Sequence, residues 1–193
     1  MPTRRHFLAG AAALAATPVI GRANSSILIS QTEYPRLPRR LRPRRVRVSD
    51  EFEVGMIYVY NEQFHLYHVT EPNRAMRYGV AIGGAHDTFT GEAVITRKAE
   101  WPSWRPTANM IATEPDVYGP YADGLPGGHQ MNPMGAAALY MNVNGRPTAY
   151  RIHGTNLPTT IGTGFSSGCI RLRNDHMQQL YEQVPVGTRM IVV

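Results

Sequence analysis

Short runs of aromatic and β-branched residues, each broken within a few positions by turn residues, constrain this chain more than any other feature. Met56-Ile57-Tyr58-Val59-Tyr60 and Phe64-His65-Leu66-Tyr67-His68-Val69 are strand-like, and Asn61-Glu62-Gln63 between them reads as a hairpin turn. The same texture returns in Tyr78-Gly79-Val80-Ala81-Ile82, Ala93-Val94-Ile95-Thr96, Ala138-Leu139-Tyr140-Met141, Ala149-Tyr150-Arg151-Ile152-His153 and Met190-Ile191-Val192-Val193. The 18 glycines and 15 prolines supply the breaks. No alternation of strands with long helical stretches is present, so the sequence predicts a largely antiparallel sheet system, not a parallel one. One clear helix comes late. Asn174 is placed as its N-cap, Asp175 suits the first turn, and Met177, Leu180, Tyr181 and Val184 share one face before Pro185 and Gly187. A shorter helix is expected after Thr107, through Met110 and Ile111. There is no internal repeat, and 193 residues suit a single domain.

The net charge of +6 dissolves when it is located. Arg4, Arg5 and Arg22 lie in the first 23 residues, and Arg36, Arg39, Arg40, Arg42, Arg44, Arg45 and Arg47 follow closely. From Val48 onward 10 basic residues face 13 acidic ones. A nucleic-acid-binding domain carries its basic excess on the folded part, so that class is excluded. Residues 1–23 read as an export signal: a basic start, an apolar stretch from Phe7 to about Ile20, and Gly21-Arg22-Ala23 as a small-x-small cleavage site. Arg4-Arg5 before Phe7-Leu8 points to the twin-arginine type, with a general secretion signal and two incidental arginines as the plainer alternative. The apolar stretch is too short to span a bilayer. The mature protein is therefore expected outside the cytoplasm, in the periplasm or cell wall. Residues 24–53, rich in Arg and Pro, are read as an extended arm or linker, a solvated tether or a peripheral contact with anionic membrane or wall. Residues 54–193 are the folded domain.

The chemistry converges on Gly162-Thr163-Gly164-Phe165-Ser166-Ser167-Gly168-Cys169-Ile170-Arg171. Gly164-x-Ser166-x-Gly168 has the form of a nucleophile elbow. Only Asp175 and His176 follow as an acid and a histidine in sequence, adjacent and on the expected helix, so a serine hydrolase triad cannot assemble. The glycines also fail as a dinucleotide loop, because no buried strand precedes them. A metal site from His65 and His68, or with His86 and His129, is disfavoured: residues three apart on a strand point to opposite faces. No metal or other cofactor is called for. Cys169 is the one cysteine, which excludes an intramolecular disulfide and a cysteine-rich zinc cluster. It sits in a glycine-rich turn whose backbone N–H groups can hold an oxyanion. His153 closes a strand and is the base of choice for it. On these two residues alone, a buried structural Cys and a core His explain the pattern as well.

The wider pattern decides. Ile152-His153-Gly154-Thr155 followed by Ser166-Ser167-Gly168-Cys169-Ile170-Arg171 resembles the signature of the L,D-transpeptidases (YkuD-type catalytic domain). Trp101-Pro102-Ser103-Trp104-x-Pro106-Thr107 and Gly127-Gly128-His129-Gln130-Met131-Asn132-Pro133-Met134-Gly135-Ala136 resemble two further stretches of that family, as do Glu62 to Tyr67. His129 and Met134 stand where Pro and Leu are common, and residues before Val54 match nothing in the catalytic domain. The resemblance implies a mainly β, β-sandwich-like fold with one or two short helices and a lid from between about Trp101 and Asn132. It implies an exported enzyme of peptidoglycan metabolism, with stem peptides as donor and acceptor and carbapenem-type compounds as possible inhibitors. Cys169 would be the nucleophile and His153 the acid–base. The Gly154 carbonyl would orient the imidazole, and the Gly168 N–H, with that of Cys169, would hold the oxyanion. Arg171, Ser167 and Asn132 are the candidate substrate contacts, and Ser166 a turn support. Two rivals stand beside this: an L,D-carboxypeptidase with water as acceptor, and a non-catalytic wall-binding module. The Cys-after-His order and the Arg two residues past the Cys argue against papain-like and sortase-like arrangements.

Overall fold

The computed structural model describes residues 36–84 and 88–193. The expected signal sequence, the start of the arm and His86 lie outside the described residues. Eleven strands are present among those described: β1 (Arg44–Arg47), β2 (Ile57–Tyr60), β3 (His65–Glu71), β4 (Arg74–Gly79), β5 (Ile82–Gly83), β6 (Gly91–Glu100), β7 (Ala137–Val143), β8 (Arg146–His153), β9 (Gly164–Ser166), β10 (Ile170–Arg171) and β11 (Arg189–Val192). Helices α1 (Ala108–Thr113), α2 (Pro115–Tyr118) and α3 (Asn174–Gln183) complete the set, with a few 3₁₀ turns. Nine strands form one sheet in the order β1-β4-β3-β2-β11-β6-β7-β8-β10, and β5 pairs with β9. The fold is mainly β, as the sequence predicts. Pairing is largely antiparallel; β11 on β2, β10 on β8 and β5 on β9 are parallel.

Each aromatic run becomes a strand because alternate residues are apolar and bury one face. Tyr58 pairs with Tyr67 and Ile57 with His68 in the β2–β3 hairpin. Its turn closes with Phe64 in the left-handed region. The main core gathers Ile57, Val59, Leu66, Tyr78, Ile95, Leu139, Met141, Ile152, Leu172 and Met190. The amphipathic α3 packs Met177, Leu180 and Val184 into the same core. A second cluster, of Met56, Tyr58, Val69 and Ala75, lies elsewhere on the sheet. The short helix after Thr107 is α1, and the Thr107 hydroxyl accepts from the Met110 N–H at 3.1 Å.

Three features differ from the sequence expectation. The arm is not all tether: Arg44–Arg47 pair antiparallel with β4, and Leu37 and Leu41 are buried with Ala81 and Ile161. Apolar residues four apart on either side of a 3₁₀ turn anchor what the arginines disguise. The Tyr78–Ile82 run is split, since Val80 and Ala81 leave the ladder and Ala81 bridges Arg171 instead. Asn174 does not cap α3. Arg173 takes that position, and the Asn174 side chain turns away to two loops.

Candidate active site

β8 and β10 set the site. Their parallel register places Arg171 beside His153 and Ile170 beside Ile152. One residue back along that register, Cys169 flanks Arg151. Alternation then puts Cys169, Arg171, His153 and Arg151 on the face opposite the buried Ile152. Hydrogen bonds from the Arg171 N–H to the Ala81 carbonyl at 2.8 Å and from the Leu172 N–H to the His153 carbonyl at 2.9 Å lock the segment after the cysteine. Gly168, with φ 99°, makes the turn into Cys169, a backbone angle L side chains rarely adopt. The buried Ser166 hydroxyl donates to the Cys169 carbonyl and braces that turn.

His153 is 3% exposed. Its Nδ1 lies 2.6 Å from the Gly154 carbonyl oxygen. A carbonyl only accepts, so Nδ1 carries the proton and Nε2 keeps the lone pair. Burial pushes the imidazole down to about 3, the neighbouring Arg171 and Arg151 add to the fall, and backbone contacts to Gly154 and Met134 oppose it. The ring is thus neutral at ordinary pH, the state a general base needs. Burial also lowers Arg171, while nearby Cys169 and Tyr118 counter it. Tyr118 belongs to α2 and stacks obliquely with Trp104 at 6.3 Å between centroids. Residues between Trp101 and Asn132 therefore reach the catalytic face. The Cys169 thiol donates to the Ala149 carbonyl at 3.7 Å, not to His153. In an unliganded site, catalytic hydrogen bonds commonly tighten only when substrate arrives.

Ser167 is exposed in the turn and Gly168 is buried beneath it. Asn132 requires a correction. It is fully buried, its Nδ2 donates to the Pro102 and Pro126 carbonyls at 2.9 and 3.0 Å, and its Oδ1 accepts from the Met134 N–H at 2.9 Å. It pins the loop that precedes β7 and has no polar group left for a substrate. His65 and His68 face away from each other; His65 Nε2 meets the Arg40 carbonyl at 2.8 Å. The His129 Nδ1 accepts from the Met131 N–H at 3.1 Å.

Asn174 escaped the sequence reading as a site residue. Its buried Oδ1 accepts from the Ala136 N–H at 3.1 Å and the Thr155 N–H at 2.9 Å. The oxygen sits so close to Gly135 and Gly154 that a Cβ on either would collide with it. It thus ties down the loop whose carbonyl orients His153. The only hint in sequence was an Asn where a helix begins, which carries the wrong partner.

A buried His with its tautomer fixed by the next residue's carbonyl, beside a Cys turn on a parallel strand, defines a site of the cysteine acyl-transfer type. The chain belongs to the YkuD family, the L,D-transpeptidase catalytic domain, whose model matches residues 55–192. It is 35% identical over 150 residues to the probable L,D-transpeptidase YbiS of Escherichia coli K12, covering 77% of this chain and 47% of that one. It is 37% identical over 135 residues to a putative L,D-transpeptidase of Fuscovulum blasticum, covering 63% and 65%. The chain spans about half the length of the Escherichia coli relatives it matches. Among solved structures, a Brucella melitensis protein described as a probable carnitine operon oxidoreductase is 38% identical, covering 79% of this chain and 93% of that one, with a TM-score of 0.53. A mutant Enterococcus faecium L,D-transpeptidase shares the fold at 17% identity and a TM-score of 0.53, covering 73% and 50%.

Proposed function

We propose that this chain is an exported peptidoglycan L,D-transpeptidase that uses Cys169 as its nucleophile. The observation that carries the reading is His153: buried, neutral, with Nδ1 held by the Gly154 carbonyl at 2.6 Å and one strand away from the Cys169 turn. The Cys169 proton passes to His153 Nε2. The thiolate attacks the carbonyl that joins the diamino acid to the terminal D-Ala of a tetrapeptide stem. The oxyanion is held by the backbone N–H groups of Gly168 and Cys169. As the C–N bond breaks, His153 returns the proton to the departing D-Ala amine, leaving a thioester on Cys169. An amine of a second stem attacks the thioester, loses its proton to His153, and expels the thiol with a new amide formed. The thioester retains the energy of the cleaved bond, so no nucleotide is needed. Arg171, beside both His153 and Cys169, is placed to hold a substrate carboxylate, and Ser167 lies exposed at the mouth of the turn. Residues 1–23 act as the export signal and 24–53 as the arm ahead of the domain. Carbapenem-type compounds acylate the same thiol.

Mass spectrometry of the mature protein with disaccharide-tetrapeptides tests this directly. Wild type is expected to release D-Ala and form a cross-linked dimer, and Cys169→Ala to do neither while remaining folded. Release without dimer would mean that water is the acceptor. Turnover by Cys169→Ala would overturn the assignment.

A further inference from the structure

Four strands carry one row of side chains that ends at the nucleophile. Arg97 on β6 pairs with Tyr140 on β7, and Tyr140 pairs with Arg151 on β8. The β8–β10 register then places Cys169 next. Directly paired residues share a face, so Arg97, Tyr140, Arg151 and Cys169 lie in line on the face that bears His153. The neighbouring row along the strands is Ala99, Ala138, His153 and Arg171. Its two alanines leave a shallow trough beside the cationic row.

The arginines are built into this row. The Arg97 guanidinium lies 3.4 Å from the centre of the Tyr140 ring, and that of Arg151 lies 5.5 Å from it. An Arg stacked on a ring keeps its N–H donors at the rim of the plane, free for a planar anion. Arg151 Nη1 donates to the Ala149 carbonyl at 3.0 Å, the same oxygen that the Cys169 thiol approaches at 3.7 Å. The Arg151 Nε is buried without a hydrogen-bond partner. The ion pairs among the described residues join Arg74 to Glu71, Arg173 and His176 to Asp175, and Arg189 to Glu53. Arg97 and Arg151 thus have no carboxylate partner among the described residues, although two cations share one ring beside a third at Arg171. Such a cluster is costly unless an anion completes it.

We infer that Arg97 and Arg151, stacked on Tyr140, form a carboxylate subsite that recognises an acyl-donor peptide bearing an acidic group two or three residues from the bond attacked by Cys169. Adjacent strands are ~4.8 Å apart and an extended peptide advances ~3.3 Å per residue, so the row meets a substrate lying across it at that spacing. The subsite rests on the transpeptidase reading for its chemistry, but its recognition can be measured without it.

The test pairs two donor peptides, one with a free carboxylate at that position and one with the carboxamide there. Both are measured for kcat/KM on wild type and for binding to Cys169→Ala by calorimetry. The expected result is a 10-fold or greater preference for the carboxylate in both measurements. The preference should fall to less than about 3-fold in Arg97→Gln, mainly through KM, and disappear in the Arg97→Gln/Arg151→Gln double variant. Arg97 is exposed and two strands from the nucleophile, so its single variant reads recognition apart from any disturbance of Cys169. Equal handling of the two peptides by wild type would overturn the subsite and leave the transpeptidase reading standing. Preferential binding of the carboxylate peptide to Cys169→Ala, with no turnover by wild type, would overturn the transpeptidase reading and keep the subsite. A preference that survives in the double variant would place recognition elsewhere and overturn the inference.

Discussion

At the scale of single residues, catalytic geometry depends on a side chain that touches no substrate. Asn174 Oδ1 takes two backbone N–H groups, from Ala136 and Thr155, that no other group satisfies. Removing it leaves both donors unpaired in the interior, and each such donor costs on the order of 1–3 kcal/mol. It also frees the Gly154 peptide, whose carbonyl holds the Nδ1–H of His153. Asn174→Ala is therefore expected to lower thermal stability and to cut kcat at least 10-fold with little change in KM. Asn174→Asp keeps an acceptor oxygen at the same place and should recover part of the lost kcat. Steady-state kinetics beside thermal melts separate the roles. A variant that loses stability but keeps wild-type kcat would make Asn174 a structural brace alone.

Among the elements, the segment ahead of the family domain couples to the loop that delivers the nucleophile. Leu41 is 1% exposed and packs with Leu37, Ala81 and Ile161. A Cβ on Gly79 would strike the Leu41 backbone, and one on Gly162 would strike its Cδ1, so both glycines exist as room for this side chain. Gly162 lies just before β9, which leads to Cys169. Leu41→Ala leaves a cavity in that wedge and is expected to cost about 2–5 kcal/mol, read by urea denaturation. A loss under 0.5 kcal/mol would mean the segment is peripheral after all. This element also marks the limit of legibility. Strands β2, β3, β7, β8 and β11 were readable because Tyr, Ile and Val alternate between clear turn residues. β1 was hidden, since its pairing with β4 sets Arg44 against Arg77 and Arg47 against Arg74, a pattern that local charge alone argues against. Cys169 and His153 were found because their spacing is local and their chemistry distinctive. Asn132 was misplaced and Asn174 missed because an amide side chain declares nothing in sequence about which distant loop it will hold. The Arg97–Tyr140–Arg151 row is likewise a product of register, set by partners 11 to 54 residues apart along the chain.

At the scale of the whole molecule, the fold stores several neutral histidines in its interior, and this fixes how it responds to acid. Burial lowers His153 to about 3 and His176 to about 4, and it lowers His65 and His68 as well. In the unfolded chain each titrates near 6.5. Between these values the unfolded state binds more protons than the folded one, so stability decreases as pH falls through that window. Above pH 6.5 the histidines contribute no pH dependence. Below it, each one still neutral in the fold removes up to about 1.4 kcal/mol per pH unit. Urea midpoints should therefore hold steady from pH 8 to pH 7 and drop steeply between pH 6 and pH 4, with proton uptake on unfolding measurable at pH 5. His176→Gln removes one titrating group outside the catalytic pair, and its stability should decline less steeply over the same range. The base form of His153 meanwhile persists to low pH, so acid should abolish turnover by unfolding the sheet before it protonates the catalytic imidazole. Loss of activity near pH 6 in a protein that is still folded, tracked by circular dichroism on the same samples, would instead show that His153 titrates as an exposed imidazole and that the desolvation argument for its neutrality fails.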